Sequence, residues 1–269
     1  MLTIGKDPAV DDRSAAVAPR EWRQLVGNRW ALAGAIIYLL EWVAIAGWLG
    51  ALVGINGGGV TTTSSSTASD IFRQYSHAGT AAAIALGAGW FALVLPGRIL
   101  LIAGIRQGLR RSWGESPLAD LAVGAMTVSV AIEIATFAVA AGVGHAATSG
   151  GDQPSVVTGD AISNLLNASV FSPIGLSVLA ISVVMLQSRL FPWWLSLLGV
   201  LAGAALCIEG VLGGAGSQIG AHLYPGFLDP FGVFGFWAWM LVTGVLLFRA
   251  TGKPRQRRPR PNPTTHKEA

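Results

Sequence analysis

Six long apolar runs constrain this chain more than any other feature of it. They cover Trp30 to Ile55, Ala78 to Ile105 with Pro96 interrupting, Leu118 to Val143, Leu165 to Leu186, Trp193 to Leu212, and Phe227 to Phe248. A bilayer hydrocarbon core about 30 Å thick takes roughly 20 residues of helix, and every run is of that order. Runs this long and apolar do not read as buried helices of a soluble core. Composition agrees: 52% of the 269 residues are hydrophobic and 12% are charged, where a soluble domain carries about 25% charged residues. A soluble or disordered chain is excluded. The expected fold is all-α, a polytopic membrane bundle of six transmembrane helices.

Basic residues set the expected orientation. Lys6, Arg13, Arg20, Arg23 and Arg29 precede the first run, Arg106, Arg110 and Arg111 follow the second, and Arg189 follows the fourth. Arg249, Lys253, Arg255, Arg257, Arg258, Arg260 and Lys267 follow the sixth, whereas the other three connections hold only Arg73. An even number of spans with this asymmetry puts both termini in the cytoplasm. The chain then divides into a cytoplasmic segment 1–29, a membrane domain 30–250 and a basic, Pro-rich tail 251–269. The first run begins only after 29 more polar residues and is full length, unlike a cleavable signal peptide.

The net charge of +4 does not indicate nucleic acid, because the cations are spread over short flanks where orientation explains them. The tail has no apolar periodicity and reads as disordered. It is either a simple flank or a grip on anionic lipid, and the simple flank is the plainer reading. Segment 56–70, with Gly57-Gly58-Gly59 and a Ser/Thr run, reads as a flexible outer loop. Arginine outnumbers lysine fifteen to three, in keeping with a bacterial chain and hence with a plasma-membrane location.

Three carboxylates fall at membrane depth: Glu41, Glu133 and Glu209. A charge there costs at least ~2.5–3.5 kcal/mol on insertion scales, so it faces the bundle interior and marks function. Helical spacing groups further polar residues with them. Ser129 and Thr136 stand at i−4 and i+3 from Glu133, and Tyr38 and Trp48 at i−3 and i+7 from Glu41. Ser163, Asn164, Asn167, Ser169 and Ser172 make the outer half of the fourth run polar, which membranes tolerate only against protein or a wet cavity. The expectation is a cavity open to the outer side. Glu133, Glu41 and Glu209 would be its acid–base groups, and Tyr38, Trp48, Ser129, Thr136, Asn164 and Asn167 its binding residues. Against this stands the plainer reading that such side chains tie helices together.

Arg98, two residues after Pro96, is expected to snorkel to the inner interface, with pairing to Glu133 as the alternative. His77, His145 and His222 all lie at outer span ends, but no H-x-x-x-H or H-E-x-x-H pair fixes two ligands, so no metal site is expected. Trp30, Trp113, Trp193 and Trp194 mark the cytoplasmic interface, with Trp22 a further candidate. Gly50/Gly54 and Gly199/Gly203 have the spacing of close helix contacts. Cys207 stands alone, so no disulfide is expected. There is no nucleotide or hydrolase motif, no cofactor is implied, and no lysine lies in a span to form a retinal-type Schiff base.

Three segments carry a family likeness. They are Arg29-Trp30-Ala31-Leu32-Ala33-Gly34 through Tyr38-Leu39-Leu40, the Glu133 span, and Ser188-Arg189-Leu190-Phe191-Pro192-Trp193-Trp194-Leu195 with Leu198-Gly199-Val200-Leu201-Ala202-Gly203. On these the chain resembles a six-helix bacterial membrane family catalogued as a domain of unknown function. The resemblance covers most of residues 29–250, supports the six-span fold and implies no activity. A fainter likeness, in size and intramembrane carboxylates only, is to integral-membrane terpene cyclases, and it transfers no residue roles.

Three functions are compatible with this pattern. The first is an intramembrane binder of, or enzyme for, a lipophilic small molecule, possessing acid–base chemistry of an isoprenoid-cyclase type. The second is a non-catalytic membrane subunit or sensor. The third is a proton-linked transporter, which as a six-span chain without visible inverted repeats would call for a homo-oligomer. Expected partners are the bilayer, a lipophilic ligand and further copies of the chain.

Overall fold

The computed structural model describes residues 28–44, 67–214 and 228–251. Among these the structure is helical: α1 Arg29–Ala44, α2 Ala68–Ser76, α3 Ala78–Val94, α4 Pro96–Ser112, α5 Pro117–Thr148, α6 Gln153–Ser188, α7 Trp193–Gly214 and α8 Leu228–Thr251. Five helices among the described residues are long and apolar enough to cross a membrane, with α3 and α4 together forming one of them. The first expected span is described only as far as Ala44. Its remainder, the tail, the N-terminal segment and most of the outer loop lie outside the described residues.

Proline places the joints. Leu95 keeps helical angles and its N–H donates to the Phe91 carbonyl at 2.9 Å, so the chain turns into α4 without a loop. Pro96 has no N–H to give to the ladder and sits in the first turn of α4, where none is needed. Pro117 and Pro154 likewise occupy the first turns of α5 and α6, and Asp152 caps α6 by accepting the Ser155 N–H at 2.8 Å. Gly114, at φ +132°, makes the turn from α4 to α5 that a side chain would resist.

The helices form a closed ring. α1 packs on α4, α4 on α5, α5 on α6, α6 on α7, α7 on α8 and α8 back on α1, while α3 lies against α5 and α1. Tyr38, Leu101, Ile102, Met126, Ile181, Met185, Phe236 and Trp239 belong to the shared core. Because successive spans alternate in direction, Arg29, Arg106, Arg110, Arg111, Arg189 and Arg249 gather at one end. Asn28 ties that end together, its amide N–H donating to the Leu247 carbonyl at 3.2 Å and its side chain to Gln107 Oε1 at 2.6 Å. Exposed Trp30, Trp113, Trp193 and Trp194 ring the same end.

Glycines decide how close the helices come. At Gly34 and Gly97 a Cβ would meet backbone of the opposite helix at 2.5 to 2.8 Å, so α1 and α4 touch main chain to main chain. Gly203 does the same against α6, where its Cβ would meet Leu179 N at 2.6 Å, and Gly199 abuts Ser182 and Trp239. The Gly199/Gly203 spacing is thus a real helix contact. The Gly50/Gly54 pair lies outside the described residues.

Two helices are longer than a membrane is thick. At 1.5 Å per residue, the 32-residue α5 and 36-residue α6 span about 48 and 54 Å, against a core of about 30 Å. α6 starts twelve residues before the expected Leu165. The surplus gathers at the end opposite the arginines, where the short amphipathic α2 packs on it through Tyr75, Val143, Ala147 and Val156. The Tyr75 hydroxyl donates to Asp160 at 2.9 Å. Burial, then the Asp160 charge and that hydrogen bond, push the Tyr75 hydroxyl pKa well above its ordinary value.

The expected outer loop therefore ends in structure. Thr67 caps α2 by accepting the Asp70 N–H at 3.2 Å, and the Asp70 carboxylate accepts from the Thr67 hydroxyl at 2.6 Å and its amide at 3.3 Å. These bonds from Thr67, with Arg73 beside them, hold the exposed Asp70 carboxyl below its usual range. A group whose folded pKa is lowered contributes stability above its unfolded pKa and loses it as pH falls through the folded value. We expect α2 amides to exchange slowly at neutral pH and faster below the ordinary carboxylate range, after correction for intrinsic rates. Asp70→Asn abolishes that pH dependence. Identical pH profiles for the two proteins would contradict the cap.

Candidate functional site

The glycine seam between α1 and α4 builds the site. It brings Tyr38 N to 2.8 Å from where Gly97 would carry a Cβ, and the next residue, Arg98, turns its guanidinium onto the Tyr38 ring with Cζ 5.0 Å from the centroid. Phe236 of α8 packs against the same ring, tilted, at 6.0 Å between centroids. From α5, Glu133 forms an ion pair with Arg98 NH2. The guanidinium is 1% exposed and the carboxylate side chain 11%.

Arg98 does not snorkel. The sequence reading ended its span at Ile105, which left the arginine about two turns from the interface. The helix runs on to Ser112, so Arg98 lies fourteen residues, roughly four turns, from its end. Buried Leu101, Ile102 and Ile105 stand between it and that end. The guanidinium is buried against Glu133 of α5 instead of turned toward that end, so the pairing alternative is the one realised.

Glu41 completes the cluster. One turn after Tyr38, its carboxyl lies within hydrogen-bonding reach of the Tyr38 hydroxyl and within the field of Arg98. It is 5% exposed. Glu41 Oε2 and Arg98 Nε are both buried without a hydrogen-bond partner. Two acids and a phenol from α1 and α5 thus surround one cation from α4. Phe91 and Phe137, with centroids 4.0 Å apart, pack across α3 and α5 one turn beyond Glu133.

The other expected residues divide. Glu209 is buried on α7, but it is not among the groups acting on Tyr38 or Glu41. Ser129 and Thr136 share the Glu133 face, yet their hydroxyls donate to their own helix, to Met126 O at 2.9 Å and Ile132 O at 3.0 Å. Ser163 reaches across to the Thr136 carbonyl at 3.2 Å and ties α6 to α5. Asn164 donates to Asp160 at 3.1 Å, and both Asn164 and Asn167 are exposed. Asn164 belongs to the stretch of α6 that precedes the expected span and Asn167 to the first turn of that span, so their polarity sits at the outer end of the helix and is accounted for without a cavity. Trp48 lies outside the described residues.

Sequence reasoning missed Tyr75 and Asp160, 85 residues apart, and ranked Arg98 below the carboxylates. The usable signal for Arg98 was charge alone, since an in-span cation and an in-span anion each lower the cost of burying the other. His77 and His145 are exposed, and His222 is not described. Among the described residues no three His, Cys, Asp or Glu side chains come together in a way that could hold a metal ion. Compared with known proteins, the chain matches no family model, no curated protein and no solved structure.

Proposed function

We propose that the protein is a six-span bundle of the bacterial plasma membrane with both termini cytoplasmic. In this reading the Tyr38–Glu41–Arg98–Glu133 cluster binds a lipophilic small molecule and acts on it by acid–base chemistry. One observation carries the proposal: two buried carboxyls share a single buried guanidinium. Arg98 and Glu133 cancel each other, and Glu41 is left with an unpartnered oxygen at a depth where an uncompensated charge is costly. Glu41 is then the group that meets the ligand. As the acid it donates a proton, and as the carboxylate it accepts one or receives a cation. Arg98 fixes the site's charge, and the Tyr38 hydroxyl one turn away orients the Glu41 carboxyl.

Extraction of purified protein into organic solvent, followed by mass spectrometry, tests this. Wild type should yield a retained lipophile. Glu41→Gln should yield about tenfold less or lower, the loss of a hydrogen bond to a charged group, at an unchanged melting temperature. Equal retention in both proteins would overturn the reading. An empty wild type that instead carries a pH-gradient-driven flux in liposomes would overturn it in favour of a proton-linked transporter using the same carboxyl. An empty wild type without such flux would favour a non-catalytic subunit or sensor.

A further inference from the structure

A groove of about 390 Å³ opens between α1 and α4 at the arginine-bearing end of the bundle. It exists because of Gly104. A Cβ there would strike the Ala31 backbone at 2.7 Å, so α1 rides close on α4 and the exposed Trp30 overhangs the gap. The lining changes character along α4. Leu100 and Ala103 form an apolar floor on the membrane side, and Arg106, Gln107 and Arg110 form the rim one and two turns further out. Arg106 and Arg110, at i and i+4, stand on one face of the helix.

The rim is already ordered. Gln107 is held by Asn28 at 2.6 Å. Arg106 is paired through Nε with Asp120, which leaves its terminal amino groups for another acceptor. Arg110 NH2 contacts Glu115 Oε1 at 2.7 Å. Each of these two guanidinium groups has one carboxylate partner, and the excess positive charge at this end of the bundle comes from the exposed Arg29, Arg111 and Arg249 around the groove.

We infer that this groove binds an anionic phospholipid of the adjacent leaflet. The headgroup phosphate lies on Arg106 and Arg110, an acyl chain runs along Leu100 and Ala103, and the Trp30 indole covers the glycerol region. The argument is complementarity at two levels. A floor that is apolar toward the membrane and cationic toward water matches the polarity of a phospholipid in order and direction. Guanidinium forks bind phosphate oxygens in pairs, and basic pockets at helix gaps on the cytoplasmic side suit anionic headgroups. A zwitterionic lipid brings a cationic group to the same rim and loses the advantage.

The test uses the full chain in nanodiscs, with spin-labelled phosphatidylglycerol and phosphatidylcholine as probes of lipid immobilised on protein. Wild type should prefer phosphatidylglycerol. Arg106→Gln/Arg110→Gln should lower that preference by about thirtyfold, since each basic residue contributes on the order of 1 kcal/mol near a membrane surface. Arg111→Gln, and deletion of residues 252–269, should leave most of it in place. Inorganic phosphate at millimolar concentration should not displace the lipid, because it gains nothing from the apolar floor. Three results would overturn the proposal: equal immobilisation of the two lipids by wild type, undiminished preference in the double variant, or competition by free phosphate. Because Glu41 plays no part here, failure of this test leaves the intramembrane site untouched, and the reverse also holds.

Discussion

Arg98→Leu should be among the most damaging single substitutions in this chain, with an expected loss of about 3–5 kcal/mol in folding stability. That is the scale on which removing one partner strands a buried charge. Arg98 is 1% exposed and supports more than its ion pair with Glu133. It also covers the Tyr38 ring and supplies the cation opposite Glu41. Glu133→Gln should cost less, because the amide still accepts a hydrogen bond from Arg98 and Glu41 remains as a counter-charge. Arg98→Leu/Glu133→Gln should recover much of the loss of Arg98→Leu, since the carboxylate that the single substitution strands is then gone. Recovery should stop short of wild type, because Glu41 has lost its cation as well. Melting temperature in one detergent, read across the four proteins as a double-mutant cycle, gives the coupling. Simple addition of the two single losses would show that the pair is not what holds α4 to α5.

The helices were legible in the sequence because membranes impose one strong signal, about 20 apolar residues per crossing. The basic end was legible for the same reason, and the arginines and interface tryptophans do gather there. The ends of α5 and α6 were not. Hydropathy marks where a helix stops being apolar, whereas α6 continues through Asp160, Asn164 and Asn167 by packing against α2 and α5. Arg98 was ranked wrongly for another reason: about two turns from the basic end it is close enough to snorkel, and only the packing of α5 against α4 brings Glu133 to it. At the site, the burial of Glu41, Glu133 and Glu209 could be read from their depth. Which of them share a cation could not. Helical spacing groups residues along one helix, while the Arg98–Glu133 pair and the Tyr38–Arg98 contact join different helices through a seam of glycines.

That seam carries the second large expectation. Gly97→Ala should destabilise the bundle by about 3 kcal/mol, at the upper end of what an inserted methyl costs in a packed interior. The added carbon would meet Gly34 O at 2.7 Å and Tyr38 N at 2.8 Å. Both are main-chain atoms, so no side chain can rotate away and α1 must lift off α4. Gly34→Ala meets Gly97 O and Leu101 N at 2.5 Å and should behave alike. The two together should cost less than their sum, because one separation of the helices accommodates both methyls. Gly124→Ala is the control: its Cβ would have no atom within 4 Å, and alanine is the better helix former by up to ~1 kcal/mol. That variant should melt at or above wild type. The seam also sets the site, because lifting α1 draws Tyr38 and Glu41 away from Arg98. Gly97→Ala should therefore lower lipophile retention together with stability, even in the fraction of molecules that stays folded. A melting temperature equal to that of Gly124→Ala would mean that α1 and α4 are not in main-chain contact, and the geometry built on that contact would fail with it.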